Sequence, residues 1–205
     1  MFVFKHSYNG YIGIHGLENL WESMSKNEQK IFKEVYAATE FEPRKLLRGE
    51  IISDVSTGNF LLILAGWAIG LKYFDFAEKL LLFAESVTAD PVTMHFIFNH
   101  LIKIFYRKRD EDPYALELAI DYCEKDIALF PVYSKIFLSE NTPIPICPAF
   151  QQLAIIYEKQ GRLLEAIQVC NIALQNNLHD TTKGGFNGRL LRLQKKLYEQ
   201  DRPNK

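Results

Sequence analysis

Ala149-Phe150-Gln151-Gln152-Leu153-Ala154-Ile155-Ile156-Tyr157-Glu158-Lys159-Gln160-Gly161, continued by Arg162 and by Glu165-Ala166-Ile167, Ala173 and Leu174, decides how the rest of the chain is read. Phe150, Leu153, Ala154 and Tyr157 recur at i, i+3, i+4 and i+7, which draws one apolar stripe along a helix. Gly161 suits the end of that helix, where a left-handed residue costs little only if it is glycine. Ala166, Ile167, Cys170, Ala173 and Leu174 repeat the stripe on a second helix. Ala154, Ala166 and Ala173 let helix axes approach closely, while Phe150 and Tyr157 fill the space around them. The stretch predicts an antiparallel helical hairpin.

One such hairpin cannot bury its apolar face alone, so related copies are expected elsewhere in the chain. Leu61, Leu64, Ala65 and Ala68, followed by Ala77, Leu81 and Ala84, reproduce the small and large positions. Asp75 and Glu78 between them read as a reciprocal cap for the second helix. A more degenerate copy follows, with Ile102 and Tyr106 on its first helix, Ala119 and Cys123 on its second, and Pro131 closing it. Asp90-Pro91 and Asp112-Pro113 each read as a helix start with proline in the first turn. This pattern, clearest over 149–178 and weaker over 59–90 and 95–131, resembles the tetratricopeptide (TPR) repeat family. The resemblance implies an all-α, irregular TPR-like helical-hairpin solenoid ending in a capping helix. Two features depart from the family: Leu178 stands where it often carries proline, and Ala77, Ala119 and Ala166 lie 42 and 47 residues apart, against about 34 in a regular array. The surplus lies in Arg107–Asp112 and in the Pro131–Cys147 linker, within which Val132–Leu138 is predicted as a short separate helix.

The repeat-like domain spans residues 58–205, and residues 1–57 read differently. Phe2-Val3-Phe4 and Tyr11-Ile12-Gly13-Ile14 flank Asn9-Gly10, a strong local signal for a β-hairpin. A small N-terminal β-hairpin is therefore expected. An isolated hairpin is marginal in water, so residues 1–57 are expected to pack against the open end of the solenoid, and the hairpin also offers a surface for self-association. Leu17, Leu20, Trp21 and Met24 predict a short helix. Ser25 to Glu28 is a capping box opening a longer one that carries Ile31, Phe32, Val35 and Tyr36 on one side.

Composition bounds the remaining possibilities. The chain has 205 residues, 48% hydrophobic and 13% aromatic, enough for a sizeable core. Gly58–Leu71 is nearly all apolar but falls short of the roughly 20 residues that cross a bilayer, so no membrane association is expected. Lys5 follows Met1–Phe4 directly with no apolar signal core, so no export signal is expected. Cys123, Cys147 and Cys170 show neither CxxC pairing nor metal spacing, which favours reduced thiols in the cytoplasm. The net charge is −1, yet residues 183–205 carry +5 and leave −6 for the rest.

No catalytic constellation emerges. His6, His15, His95, His100 and His179 are scattered, and the chain contains no GxSxG elbow, no GxxxxGK[ST] loop and no HExxH. No enzyme activity, cofactor or metal is expected. The TPR resemblance implies instead a non-enzymatic module that binds a protein or peptide in the groove lined by first-helix residues outside the core. These are His100, Ile104, Arg107 and Lys108 in the middle copy and Gln151, Ile155, Glu158 and Lys159 in the last. In the first copy they are Asn59, Leu62, Gly66 and Ile69, where Leu62 and Ile69 alternatively pack against residues 1–57. The rival reading is a nucleic-acid-associated factor acting through 183–205. There the Gly-rich run 181–189, with Lys183 and Arg189, reads either as an anion cradle or as a connector with Asn187 as N-cap. Arg192, Lys195 and Lys196 extend the basic face along the last helix, while Leu190, Leu193 and Leu197 form its apolar side.

Overall fold

The computed structural model describes residues 8–200. They form α-helices joined by short loops and one turn of 3-10 helix, with no strand among the described residues. The chain divides into two compact units, the boundary falling after Ile97.

The first unit opens with α1 (Tyr11–Ile14), α2 (Glu18–Ser23) and α3 (Lys26–Ala37), then the 3-10 turn Pro43–Lys45. Helices α4 (Thr57–Gly70) and α5 (Phe74–Val87) follow and pack as a hairpin, and α3 packs on α4. The Ser25 capping box is present in both directions: the Glu28 N–H donates to the Ser25 hydroxyl, and the Ser25 N–H to the Glu28 carboxylate. The core is aromatic. Tyr11, Tyr36 and Phe41 gather around Phe60, with ring centroids 4.9 to 6.4 Å apart. Phe32 bridges Trp21 and Phe76 edge-on.

The N-terminal β-hairpin is not formed. Phe2–Phe4, its first strand, lies outside the described residues, and Tyr11–Ile14, its second, is a helical turn. Gly10 has φ −88°, not the positive value that a tight hairpin turn requires. Glycine serves a close approach here instead, since a Cβ would sit 2.2 Å from the Lys45 carbonyl oxygen and 2.6 Å from the Arg48 nitrogen. The Ile12 N–H then donates to Leu46 O at 3.0 Å, and Ile12 is buried. Burial of Ile12 against a sequence-distant turn outweighs the local Asn-Gly signal. Self-association through a hairpin falls with it.

In the second unit the C-terminal part of α6 (Pro91–Lys108) meets α7 (Ala115–Ser139) through Tyr122, which stacks on Phe105 at 5.6 Å and contacts Phe98. Helix α7 packs on α8 (Pro148–Lys159), and α9 (Leu163–Gln175) packs on both α8 and α10 (Gly185–Gln200). Ala154, Ala166 and Ala173 are fully buried, as close helix approach requires. Gly161, with φ +75°, terminates α8.

Three local expectations need correction. Pro131 does not end its helix: α7 runs through it to Ser139, and no separate helix forms over Val132–Leu138. Flanking burial holds the proline in place. Phe130 lies edge-on to Phe150 at 5.7 Å, and Tyr133 is fully buried with its hydroxyl 3.2 Å from the Cys147 sulfur. Helix α5 begins at Phe74, so Asp75 sits inside its first turn and Tyr73 takes the cap position. Asn187 likewise lies within α10, which starts at Gly185. Asp90 does cap α6, its carboxylate accepting from the backbone and hydroxyl of Thr93. The three cysteines are free and buried.

Candidate functional site

Within the second unit, side chains of α6, α8 and α10 meet on one face. Lys159, at the C-terminal end of α8, donates to the Tyr106 hydroxyl of α6 at 3.0 Å and lies 5.7 Å from that ring's centre. Arg109 stands over the same ring at 4.3 Å. Glu158 turns toward α10, where Arg192 approaches its carboxylate at 3.1 Å, Lys196 at 2.5 Å and Arg189 at 3.8 Å. Gln151 accepts a hydrogen bond from the Thr181 hydroxyl at 3.0 Å, ahead of α10. Spacing along α8 explains the arrangement. Positions 151, 155 and 158 fall off the stripe that α7 and α9 bury, so their side chains project past the hairpin core.

Arg189 and Asp180 anchor this face from below. Arg189 is only 4% exposed, and its guanidinium holds the buried Asp180 carboxylate at 2.7 Å through Nη2 and 2.8 Å through Nε. The second Asp180 oxygen accepts the Thr182 N–H at 2.8 Å. Burial pushes the Asp180 carboxyl upward, but the Thr182 hydrogen bonds and the Arg189 cation outweigh it, and the group ends below the ordinary carboxylate range. Glu158 shows the same balance: desolvation raises it, and Arg192 and Lys196 carry it below its usual value. Both carboxylates are therefore charged at neutral pH and neutralise part of the basic segment from inside the fold.

Placement of the other residues singled out from sequence is uneven. Ile104 is 1% exposed and belongs to the core, out of reach of a ligand. His100 and Ile155 are half-buried, and Arg107 and Lys159 are exposed. Burial, followed by the Lys103 charge, lowers the His100 pKa, which keeps that ring neutral near pH 7. Of the basic-segment residues, Arg189 is committed to Asp180, and Arg192 and Lys196 to Glu158, whereas Lys183 and Lys195 are exposed. The Gly-rich run spends amides internally: Thr182 donates to Asp180, and Gly185 donates to Thr182 O at 2.9 Å. Sequence reading missed Tyr106 as the pivot of the face and Asp180 as the partner of Arg189. Their spacing, 53 residues from Tyr106 to Lys159, carries no local signal.

In the first unit, Ile63 and Trp67 of α4 and Leu71, which caps its C-terminus, are partly exposed, and beside them Gly66 and Gly70 have open space where a Cβ would be. No three histidine, cysteine or acidic side chains group as metal ligands among the described residues. No described helix is long and apolar enough to cross a membrane.

The chain is 25% identical over 169 residues to an uncharacterized protein of Aquifex aeolicus (strain VF5), covering 78% of this chain and 81% of that one. No family model matches it, and no solved structure does.

Proposed function

We propose that this protein is a non-catalytic interaction module, built from TPR-like helical hairpins, that holds a peptide or protein segment against the α6/α8/α10 face. The observation that carries the reading is the meeting of Lys159 with Tyr106 and of Glu158 with Arg192 and Lys196, which brings side chains from three helices onto one surface. Glu158, Asp180 and Asp110 stand against five cations, Arg109, Lys159, Arg189, Arg192 and Lys196, so the face keeps positive charge for an acidic or carboxylate-bearing segment. Peptide ligands of helical-repeat surfaces are held in this way, by side-chain contacts from adjacent helices. Free buried cysteines agree with a reducing compartment, and we place the protein in the cytoplasm.

The nucleic-acid reading of 183–205 is weaker on this geometry, because three of its seven cations, Arg189, Arg192 and Lys196, already face the carboxylates of Asp180 and Glu158. Affinity capture from the native host, comparing wild type with Arg107→Glu/Lys108→Glu/Lys159→Glu, tests the proposal. Loss of the same partner from a variant with an unchanged melt is the expected result. Retention of that partner removes the face from the account, and salt-sensitive binding of duplex DNA or RNA that is lost in Arg192→Gln/Lys195→Gln/Lys196→Gln establishes the rival.

A further inference from the structure

The first unit holds a concavity that the interaction reading does not use. It is about 440 Å³, lined by Lys33, Tyr36, Pro43, Arg44, Leu46, Leu47 and Arg48. That volume lies within the range of roughly 300–1,000 Å³ typical of small-molecule sites. Its floor is apolar and fixed. Tyr36 and Leu46 are buried, and the Tyr36 hydroxyl donates to the Glu42 carbonyl at 2.9 Å. The wall is tied to the N-terminal segment by the Ile12 N–H on Leu46 O, by the Gly49 N–H on the Asn9 side chain at 3.3 Å, and by the close approach at Gly10. The 3-10 turn is thus held against the unit's core, although it is a single turn.

Around this floor stand three cations from two elements, Lys33 on α3 and Arg44 and Arg48 on the turn and its continuation, and no acidic side chain lines the space. Neighbouring charges do not neutralise them. Glu42 pairs with Lys45 at 3.1 Å, Glu34 accepts from the Tyr73 hydroxyl, and Lys33 lies 5.6 Å from the Trp21 ring centre. Neither Arg44 nor Arg48 forms an ion pair among the described residues. In a chain of net charge −1, three exposed cations bordering one apolar floor, with no carboxylate among the lining residues, make a local positive patch that favours an anion. Guanidinium groups present planar forks that match phosphate oxygens two at a time.

We propose that this recess binds a small phosphomonoester with an apolar body, its phosphate met by Arg44, Arg48 and Lys33 and its apolar part seated on Tyr36, Leu46 and Leu47. The assignment does not rest on the interaction reading. Titration calorimetry of the full chain with 1-naphthyl phosphate tests it, with inorganic phosphate and 1-naphthol as separate arms. The expected result is 1-naphthyl phosphate binding at least about tenfold tighter than either fragment, weakened by about tenfold or more in Arg44→Gln/Arg48→Gln. Lys33→Gln, on a different element, weakens it independently, and thermal melts of all variants match wild type because these side chains are exposed. The groove variant Arg107→Glu/Lys108→Glu/Lys159→Glu keeps the binding, which separates failure of one proposal from failure of the other. Absence of binding at about 1 mM, equal affinity for either fragment, or full retention in the double variant overturns the assignment.

Discussion

At the residue scale, Arg189 shows how this protein uses charge. A guanidinium withdrawn from water costs several kcal/mol unless a carboxylate and hydrogen bonds replace the solvent, and Asp180 supplies both within 2.8 Å. Arg189→Met leaves Asp180 buried and unpaired, so the expected loss in a urea melt is about 3–5 kcal/mol. Arg192→Gln and Lys196→Gln, whose side chains are about half exposed, should each cost less than about 1 kcal/mol because solvent screens such pairs. Arg189 at the surface cost would mean that the ion pair is not formed. His15 makes a second residue-scale prediction. It is buried, stacks on Phe60 at 4.4 Å, and desolvation lowers its pKa below the ordinary value. Between the folded value and about 6.5 the unfolded chain binds more protons, so stability rises with pH across that window. His15 thus contributes fully above about 6.5 and progressively less as the solution acidifies. His15→Phe should flatten the melting temperature between neutral pH and that window. Asp180 and Glu158, both lowered, act in a separate window, their contribution lost only as pH falls below about 4.

At the element scale, helix pairing depends on small residues at crossing points. Ala154 is fully buried in α8, which packs against both α7 and α9. Ala154→Leu should overpack that contact and cost about 1–3 kcal/mol, read as a lowered melting temperature. An unchanged melt would place this alanine outside a helix crossing. Where the sequence was legible, short-range chemistry decided the outcome. The Ser25–Glu28 box, the Asp90 cap and Gly161 at the end of α8 each use partners within a few residues. Where it misled, distant contacts won. Asn9-Gly10 predicts a hairpin until Gly10 meets Lys45–Arg48. Pro131 predicts a helix end until Phe130 and Tyr133 find Phe150 and Cys147, offsetting a penalty of about 3 kcal/mol.

At the scale of the whole molecule, two compact units carry two different surfaces, one proposed for a small anion and one for a partner segment. Of the residues of the proposed face, Gln151, Glu158 and Lys159 project from α8 toward the loop before α10, α10 and α6 in turn. Ile104 does not belong with them, because α6 buries a broader stripe, Leu101, Ile102, Ile104 and Phe105, than the repeat pattern assigns to its core. The basic tail looked free only because its counter-charges lie up to 38 residues away on another element. Lysine-acetylation footprinting of the protein with and without its captured partner tests the central claim most directly. Lys108 and Lys159 should lose reactivity in the complex, while Lys125 and Lys135 on α7 keep theirs. Protection of the α7 lysines with Lys108 and Lys159 unchanged would contradict binding on the α6/α8/α10 face.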